Sequence, residues 1–347
     1  MSDRRESTHV FLNRVIAAPE HEIGPLAAAH LSADTVWDVA HPINRLEGRE
    51  AVLEGFVRPL RAALSHVRRR DSIFIGGRNR RGGGDWTASV THYLGNFQAP
   101  LAGIAPNGRL VFLRSGEFYR LEGGGIAEAK ILVDFLDLLR QAGRFPLARM
   151  PGAEMPFPDP ASGDGVLPGS RGRGEAALDV VEAMQGDLHV YDRETMESAG
   201  QTGAGGYWHD DMLWYGPAGI GSSYRWSGFV KDHREPFLRA FPDREGGHHF
   251  CRIGDGDYAA TGGWPSMTMT HRGDYLGVPA TGRALTLRVM DFYRCTGGRI
   301  MENWVLLDFL DLFGQMGLDL LDRAAAMEGA KFEAGAGPPP PARRPGK

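Results

Sequence analysis

Residues 118–143 read FYRLEGGGIAEAKILVDFLDLLRQAG, and residues 292–317 read FYRCTGGRIMENWVLLDFLDLFGQMG. The two segments align without a gap at an offset of 174 residues, and 15 of the 26 positions are identical. This similarity indicates an internal duplication, and its period is that of a whole domain rather than of a solenoid repeat. The sequence therefore predicts two related domains, and the question of function becomes which of them carries a working site.

Proline and glycine mark the boundaries of these domains. Six prolines fall between residues 146 and 168, with little apolar periodicity, as in a surface linker. Four consecutive prolines, 338–341, are typical of a disordered C-terminal segment. We therefore predict a first domain at 1–145, a linker at 146–174, a second domain at 175–325 and a disordered tail at 326–347.

Composition narrows the class of protein. The net charge is −4 over 347 residues, so nothing draws the whole chain to nucleic acid or to an anionic membrane. The arginines at 68–70, 78, 80 and 81 lack interleaved aromatic residues and are typical of a solvated hairpin. No apolar run is long enough for a signal peptide or a membrane span. We expect a cytoplasmic protein without nucleic-acid or membrane partners.

The repeated segment predicts a hairpin followed by a helix. Gly123-Gly124 and Gly297-Gly298 separate two short strands, as in a tight β-turn. Asp134 and Asp308 are good N-caps for the helix that follows. Helical segments come first in each copy and strands later, which favours an α+β fold. We predict two tandem cone-shaped domains, each a curved antiparallel sheet packed on its N-terminal helices, with a pocket at the mouth of the cone.

The second copy resembles the SnoaL-like polyketide cyclase family, which has the nuclear transport factor 2-like fold. The resemblance is carried by WHDD at 208–211, LWYGP at 213–217, HRGDYLGVPATG at 271–282 and the closing pattern at 299–317. It covers nearly all of the second copy, whereas the first copy matches mainly through its last third. These motifs specify the fold more closely than the function, because this fold hosts cyclases, isomerases, dehydratases and plain binders.

The resemblance also implies which residues should move protons. In the family's cyclases a pocket aspartate lies on the strand before the closing helix, and its place here is taken by Val305, and by Ile131 in the first copy. A pocket histidine of the family falls at Asp291, and at Glu117 in the first copy. An aliphatic side chain cannot transfer a proton, so the family's own aldol mechanism is not carried over to this chain.

Two residues are the candidate catalytic groups. Strand alternation places Asp291 on one face with Leu287, Val289 and Tyr293. A carboxylate on such a face either pairs with an arginine, such as Arg272 or Arg288, or has a raised pKa suited to acid/base work. His271, which shares a face with Met267 and Met269, is either a general base or a hydrogen-bonded core residue.

The remaining candidates would contact a ligand. Asn303 is an amide on the expected pocket face, where it would hold a substrate oxygen or be a satisfied core group. The other predicted substrate-binding residues are aromatic or apolar, with one histidine: His209, Trp214, Tyr215, Tyr293, Met301 and Val305. Glu302, which matches Glu128 of the first copy, has the opposite parity and is expected to have a structural or interface role. No residue spacing fits a zinc or calcium site, so we expect neither metal nor cofactor.

Three functional hypotheses follow. The first is a cofactor-free isomerase, lyase or cyclase-like enzyme that acts on a small carbonyl- or lactone-containing molecule in the second domain. The second is a non-catalytic small-molecule-binding protein, which Val305 favours. The third, weaker hypothesis is a scaffold for assembly. In each case the first domain is expected to be degenerate and to pair internally with the second as a pseudo-dimer, so that the chain can exist as a monomer.

Overall fold

The computed structural model describes residues 2–327, and both halves of this range repeat one order of helices and strands. Domain one comprises α1 (Ser2–Ala17), α2 (Glu20–His30), β1 (Leu31–Val39), β2 (Arg45–Glu47), α3 (Arg49–Val52), α4 (Arg58–Ala63), β3 (Leu64–Arg78), β4 (Asp85–Phe97), β5 (Leu110–Glu122), β6 (Gly125–Val133) and α5 (Phe135–Gln141). A π-helical turn, Leu53–Val57, joins α3 to α4.

Domain two has the same plan with fewer helices before its sheet. It comprises α6 (Gly174–Leu188), β7 (Trp208–Tyr215), β8 (Ser223–Tyr224), α7 (Arg225–Phe229), α8 (Glu235–Ala240), β9 (Cys251–Asp255), β10 (Tyr258–Thr270), β11 (Ala284–Thr296), β12 (Arg299–Leu307), α9 (Phe309–Met316) and a terminal α10 (Leu320–Ala326). A second π-helical turn, Val230–Arg234, joins α7 to α8. The predicted tail from residue 328 onward lies outside the described residues, and residue 326 ends α10.

Each domain is built on a six-stranded sheet. The strand orders, β2-β1-β6-β5-β4-β3 and β8-β7-β12-β11-β10-β9, are equivalent. All neighbours are antiparallel except β1 with β6 and β7 with β12, which are parallel. The sheets are therefore mixed, whereas the sequence led us to expect antiparallel pairing throughout. β1 and β6 are separated by most of the domain, so no hairpin forces them to run in opposite directions.

The repeated segment folds as its sequence predicts. Gly123 and Gly124 have φ of 58° and 92°, and Gly297 and Gly298 have φ of 58° and 75°. Positive φ at both central residues is what a two-residue turn of type I′ needs, and only glycine adopts it without cost. Asp134 and Asp308 cap their helices by accepting hydrogen bonds from the backbone N–H groups three residues later.

The two caps also join the domains. Asp134 Oδ2 accepts a hydrogen bond from the backbone N–H of Ala218 at 2.9 Å, and Asp308 Oδ2 accepts one from His41 at 3.1 Å. The sheets pack face to face beside these bonds, with the rings of Phe118 and Phe292 5.6 Å apart. Equivalent residues thus make reciprocal contacts, as at the two-fold interface of a homodimer.

Two segments reinforce this pairing in ways that the sequence did not indicate. Helix α1 places Arg5 in the core, 1% exposed, where it pairs with Asp255 of domain two. The linker packs against both domains. Trp304 Nε1 of domain two donates to the carbonyl of Pro158 at 3.0 Å, and the backbone of Ala161 donates to Glu302 at 3.2 Å. Ser72 Oγ of domain one donates to Asp159 at 2.7 Å. The linker is therefore part of the folded unit.

The double role of the caps predicts unequal costs of substitution. Asp134→Ala should lower the free energy of unfolding by about 3 kcal/mol, because it removes the cap and leaves buried Arg114, now 2.8 Å from Asp134, short of a counter-ion. Asp319 caps only α10, so Asp319→Ala should cost about 1 kcal/mol. Denaturant unfolding checks both, and equal losses would contradict the account.

Candidate functional site

A cavity of about 360 Å³ lies in domain two, between the sheet and the helices α6, α7 and α8. Its volume is within the range of small-molecule sites, and its walls are mainly apolar. These walls include Met184, Leu188, Trp208, Trp214, Phe229 and Phe237. A corresponding cavity in domain one measures only about 10 Å³. The space for a ligand is therefore in domain two.

Domain one is filled by a buried polar cluster centred on Glu117. Its carboxylate is 2.5 Å from Arg69 and accepts hydrogen bonds from the hydroxyls of Tyr93 and Tyr119, each at 2.6 Å. Arg69 also pairs with Asp71 at 2.8 Å. These groups satisfy one another, and they occupy the volume that a ligand would need.

Domain two is open because the strand that carries Arg69 in domain one is cut short. β3 is 15 residues long, whereas β9, its counterpart, is 5 residues long. The chain before β9 is a loop, and Gly246 and Gly247 of this loop line the cavity without side chains. This loop therefore places no arginine beside Asp291, whereas β3 places Arg69 beside Glu117 in domain one.

Asp291 projects into this cavity from β11. It is directly opposite Val305 of β12 in the antiparallel register, and Tyr293 is opposite Asn303. Leu287 and Val289 line the same wall, as strand parity predicts. By the resemblance, the family has a histidine at the position of Asp291 and an aspartate at the position of Val305. These two positions are cross-strand neighbours here, and the carboxyl lies on β11 instead of β12.

Burial raises the pKa of the Asp291 carboxyl to about 7, while hydrogen bonds with Asn303 and Tyr293 lower it in part. The arginines that were considered as partners are engaged elsewhere: Arg272 is 3.2 Å from Asp243, and Arg288 is 2.9 Å from Asp308. The structural ion pair considered for Asp291 is therefore not formed. An aspartate that is half ionised near neutral pH can both accept and return a proton.

Two neighbours orient this carboxyl. Asn303 Nδ2 donates to the carbonyl of Phe292 at 3.1 Å, in addition to its bond with Asp291. The Tyr293 hydroxyl accepts a hydrogen bond from Gln185 Nε2 at 3.3 Å. Both side chains line the cavity. The Asn303 amide already makes hydrogen bonds within the protein, so it positions Asp291 and is not available to a substrate oxygen.

The structure brings only some of the predicted ligand contacts together. Trp214 and Val305 line the cavity with Asp291, Tyr293 and Asn303. Met301 does not, because β12 has a bulge there: Arg294 pairs with Glu302, and Cys295 pairs with Ile300. The extra residue breaks the alternation from which Met301 was predicted to share the pocket face.

His271 is not among the residues that line the cavity, so the structure does not bring it together with Asp291. It follows the last residue of β10, and its Nδ1 is 3.1 Å from Thr281 Oγ1. Its ring packs 5.5 Å from that of Phe241. A register shift between Gly263 and Met267 and the end of the strand separate it from Asp291, so simple parity did not hold along the whole of β10.

His209 and Tyr215 are also outside the cavity. His209 lies within β7, where its Nδ1 accepts a hydrogen bond from the backbone N–H of Asp211 at 3.1 Å. Tyr215 follows Trp214 and therefore points to the other face of β7, where its hydroxyl donates to Glu302 at 3.1 Å. Adjacent strand residues cannot both face the pocket, and Trp214 is the one that does.

Several lining residues were not singled out from the sequence. His233 stacks on Trp214, with ring centroids 4.6 Å apart, and its buried Nδ1 has no hydrogen-bond partner among residues 2–327. Burial, with smaller contributions from Arg234 and Arg244, lowers the pKa of His233 to about 3, so the ring is neutral. Phe229, His233 and Phe237 recur every fourth residue, which was the available signal.

Neither a metal cluster nor a membrane helix is found in the described part of the chain. Within residues 2–327, no group of three His, Cys, Asp or Glu side chains is arranged to hold a metal ion. No helix in the same range combines the length and the apolar character needed to cross a membrane.

A sheet closed by helices is present twice, and in domain two it encloses a small-molecule cavity. This architecture defines the chain as a tandem α+β protein of the nuclear transport factor 2-like type. The sequence model of the SnoaL-like polyketide cyclase family matches residues 26–142 and again residues 189–316. The chain belongs to this family, and each of its halves is a copy of the family's domain.

Solved structures that match the chain each cover about one domain of it. One is a proposed SnoaL-like polyketide cyclase from Jannaschia sp. CCS1, with 14% identity, a TM-score of 0.32, and coverage of 40% of this chain and 90% of that one. IdmH from Streptomyces antibioticus, a proposed polyketide cyclase, has 24% identity, a TM-score of 0.31 and coverage of 41% and 99%. A protein with a ketosteroid isomerase-like fold from Catenulispora acidiphila, solved with trimethylamine, has 18% identity, a TM-score of 0.30 and coverage of 39% and 90%. No curated protein matches the chain.

The contrast between Asp291 and Glu117 gives a pH-dependent prediction. With a folded-state pKa of about 7 against 3.8 when unfolded, Asp291 costs stability progressively as the pH rises from 4 to above 7. Asp291→Asn should therefore change little at pH 4 but raise the free energy of unfolding at pH 8, by up to about 4 kcal/mol.

The matched control is the equivalent carboxylate in domain one. Glu117→Gln should lower stability by about 3 kcal/mol across pH 6–8, because it weakens a buried ion pair. Urea unfolding at several pH values checks both variants. A stability difference between Asp291→Asn and the native chain that does not vary with pH would contradict a raised pKa.

Proposed function

We propose that the chain is a cofactor-free acid/base enzyme whose site is the domain-two cavity. Its substrate would be a small, partly apolar molecule that contains a carbonyl or lactone group. Asp291 would remove a proton from the carbon next to that group and return it at the same or a neighbouring position. The observation that carries this proposal is a carboxyl without a cationic partner, facing an apolar cavity and close to neutrality in its pKa.

A second group supports the same chemistry at the substrate oxygen. When a proton leaves the carbon, negative charge develops on the carbonyl oxygen and must be stabilised. His233 is neutral, held by stacking on Trp214, and its Nδ1 has no protein partner within residues 2–327. In the tautomer with a proton on Nδ1, it would donate a hydrogen bond to that oxygen. Asn303 and Tyr293 would act as positioning residues for Asp291.

The type of reaction follows from this set of groups. One carboxyl that takes a proton and returns it to another carbon of the enolate shifts a double bond, and this isomerisation needs no further reactant. Loss of a leaving group from the enolate would instead give a lyase, and attack of the enolate on a second carbonyl would close a ring. Isomerase, lyase and cyclase-like activities therefore share the first step, which is the one to measure.

The alternative function is ligand binding without turnover. Val305 favours it, because the family's acid/base position is aliphatic here. A binding protein would retain its ligand unchanged, and Asp291 would then serve as a hydrogen-bonding group.

Proton abstraction can be tested without knowing the substrate. The protein would be incubated with a metabolite extract in D₂O, and a metabolite that gains deuterium only when protein is present would be sought by mass spectrometry. We expect Asp291→Asn to slow this incorporation at least about 100-fold, the usual contribution of a general base. Asp274→Asn, at an exposed position outside the cavity, is the matched control and should leave the rate unchanged.

The outcomes separate the two functions. Incorporation that survives in Asp291→Asn would contradict the role given to this residue. A metabolite that co-purifies with the native chain and exchanges no proton would instead support the binding protein.

The internal pairing of domains leads us to propose that the chain is a monomer. The surface that such domains would use to pair is already covered by the second copy, through the caps at Asp134 and Asp308. Light scattering should give one chain mass, 37.9 kDa. A value twice as large would show that a further surface mediates association.

A further inference from the structure

The wall of the cavity formed by the second π-helical turn and the following loop carries two arginines without counter-ions. Arg234 is 4% exposed, and its guanidinium donates only to neutral oxygens in the described chain. These are the carbonyl of Met196 at 2.8 Å, the carbonyl of Leu188 at 3.4 Å and Ser198 Oγ at 2.7 Å. Such bonds orient the group but supply no direct counter-ion, and Glu197 and Asp187 offset its charge only from beyond ion-pair distance.

Arg244 lies beside the ring of Tyr191, as Arg234 does. Its guanidinium donates to the hydroxyl of Tyr191 at 3.3 Å and lies 5.1 Å from the ring centroid, while that of Arg234 lies 5.5 Å from the same centroid. Both arginines line the cavity. Within residues 2–327, neither has a carboxylate within ion-pair distance.

Three other buried arginines of the chain show a different arrangement. Arg5, Arg69 and Arg114 each pair directly with a carboxylate: Asp255, Glu117 and Asp134, respectively. A buried cation without such a partner costs free energy, and the pKa shifts record this cost. Burial and the nearby charge of Arg244 lower the pKa of Arg234 to about 10, and burial also lowers that of Arg244.

The rest of the cavity adds to the positive charge. Arg81 and Arg252 also line it, and only Arg252 is neutralised, by Glu182 at 2.9 Å. Burial raises the pKa of Asp291, so this carboxyl offsets less of the positive charge than an ordinary aspartate would. A narrow apolar site with this balance concentrates anions and repels cations.

The two arginines and Asp291 are at different places in the cavity. Both arginines lower the pKa of His233, so they lie close to it. Neither contributes to the pKa of Asp291, which burial, Asn303 and Tyr293 determine. His233 stacks on Trp214, the cross-strand neighbour of Asn303, so it lies between the arginines and the residues around Asp291.

We propose that the ligand carries an acidic group, a carboxylate or a comparable oxyanion, which Arg244 and Arg234 bind while its carbonyl-bearing part lies beside Asp291. The inference rests on the proposed function for the role of Asp291, but the anion subsite stands on the arginines alone. It narrows the substrate class to keto acids, acidic lactones and similar molecules with an apolar body.

A matched pair of fluorescent probes tests the subsite. 8-Anilino-1-naphthalenesulfonate and N-phenyl-1-naphthylamine share an apolar body, and only the first carries an anion. The native chain should bind the sulfonate at least about tenfold more tightly, as expected for a charge-assisted hydrogen bond. Raising the salt concentration should weaken the binding of the sulfonate probe and leave the binding of the uncharged probe unchanged.

The variant to compare is Arg244→Gln. Arg244 makes a single hydrogen bond that the structure records, so its loss should leave the fold intact, and removing an uncompensated charge should not lower the unfolding midpoint. Binding of the anionic sulfonate probe should weaken about tenfold or more, and binding of the uncharged probe should change less than about twofold. Arg239→Gln, an exposed arginine paired with Glu235, should change neither.

The failures of the two proposals can be told apart. Equal binding of both probes, or an equal effect of Arg244→Gln on both, would overturn the anion subsite and leave the role of Asp291 standing. If neither probe binds, the cavity is not a site for apolar ligands, and both proposals would be overturned. A sulfonate-specific loss in Arg244→Gln, with the deuterium exchange also absent, would support an acidic ligand of a binding protein.

Discussion

The site depends on what happens to one carboxyl group that the fold buries on the concave face of each sheet. A buried carboxylate must either find a cation or give up its charge. Glu117 of domain one forms an ion pair with Arg69 at 2.5 Å and belongs to the polar cluster that fills the interior of that domain. Asp291, the equivalent group in domain two, has no arginine within ion-pair distance among residues 2–327, and burial raises its pKa to about 7. The same position is therefore structural in one copy and available for chemistry in the other.

Domain one has no open pocket, but it still contributes to the structure of the site in domain two. The hairpin after β3 of domain one contacts domain two through Asn79. The Oδ1 atom of Asn79 accepts a hydrogen bond from the backbone of Arg252 at 3.0 Å, and its Nδ2 atom donates one to the carbonyl of Phe250 at 2.9 Å. Arg81 of that hairpin lines the cavity. Domain one thus supports the wall next to the shortened strand β9, and its own interior is free to be filled.

Much of the fold could be predicted from the sequence, because its signals are local. The Gly-Gly turns, the caps at Asp134 and Asp308 and the strand alternation through Asp291 depend on a few neighbouring residues each, and the structure shows all of them. The α+β class and the two tandem domains followed from the repeat and from the resemblance to the family.

The site was less accessible to the same reasoning. Parity fails at irregularities such as the bulge at Met301 and the register shift in β10 before His271, and neither is visible in a single sequence. Arg234 and Arg244 reach the cavity because a π-helical turn and a loop bring them beside Tyr191, a contact between distant segments. The openness of domain two depends on the length of β9, which only its pairing with β10 defines.

The central claim is that Asp291 titrates near neutrality, and its side chain can be observed directly. In protein labelled with ¹³C at aspartate Cγ, the resonance of Asp291 is the one that disappears in Asp291→Asn. The account predicts that its chemical shift titrates with a midpoint about 3 pH units above that of an ordinary aspartate, as burial without a counter-ion requires. A midpoint near pH 4 would show that the carboxyl is fully ionised at neutral pH, and it would contradict the assignment of this residue as the proton-transferring group.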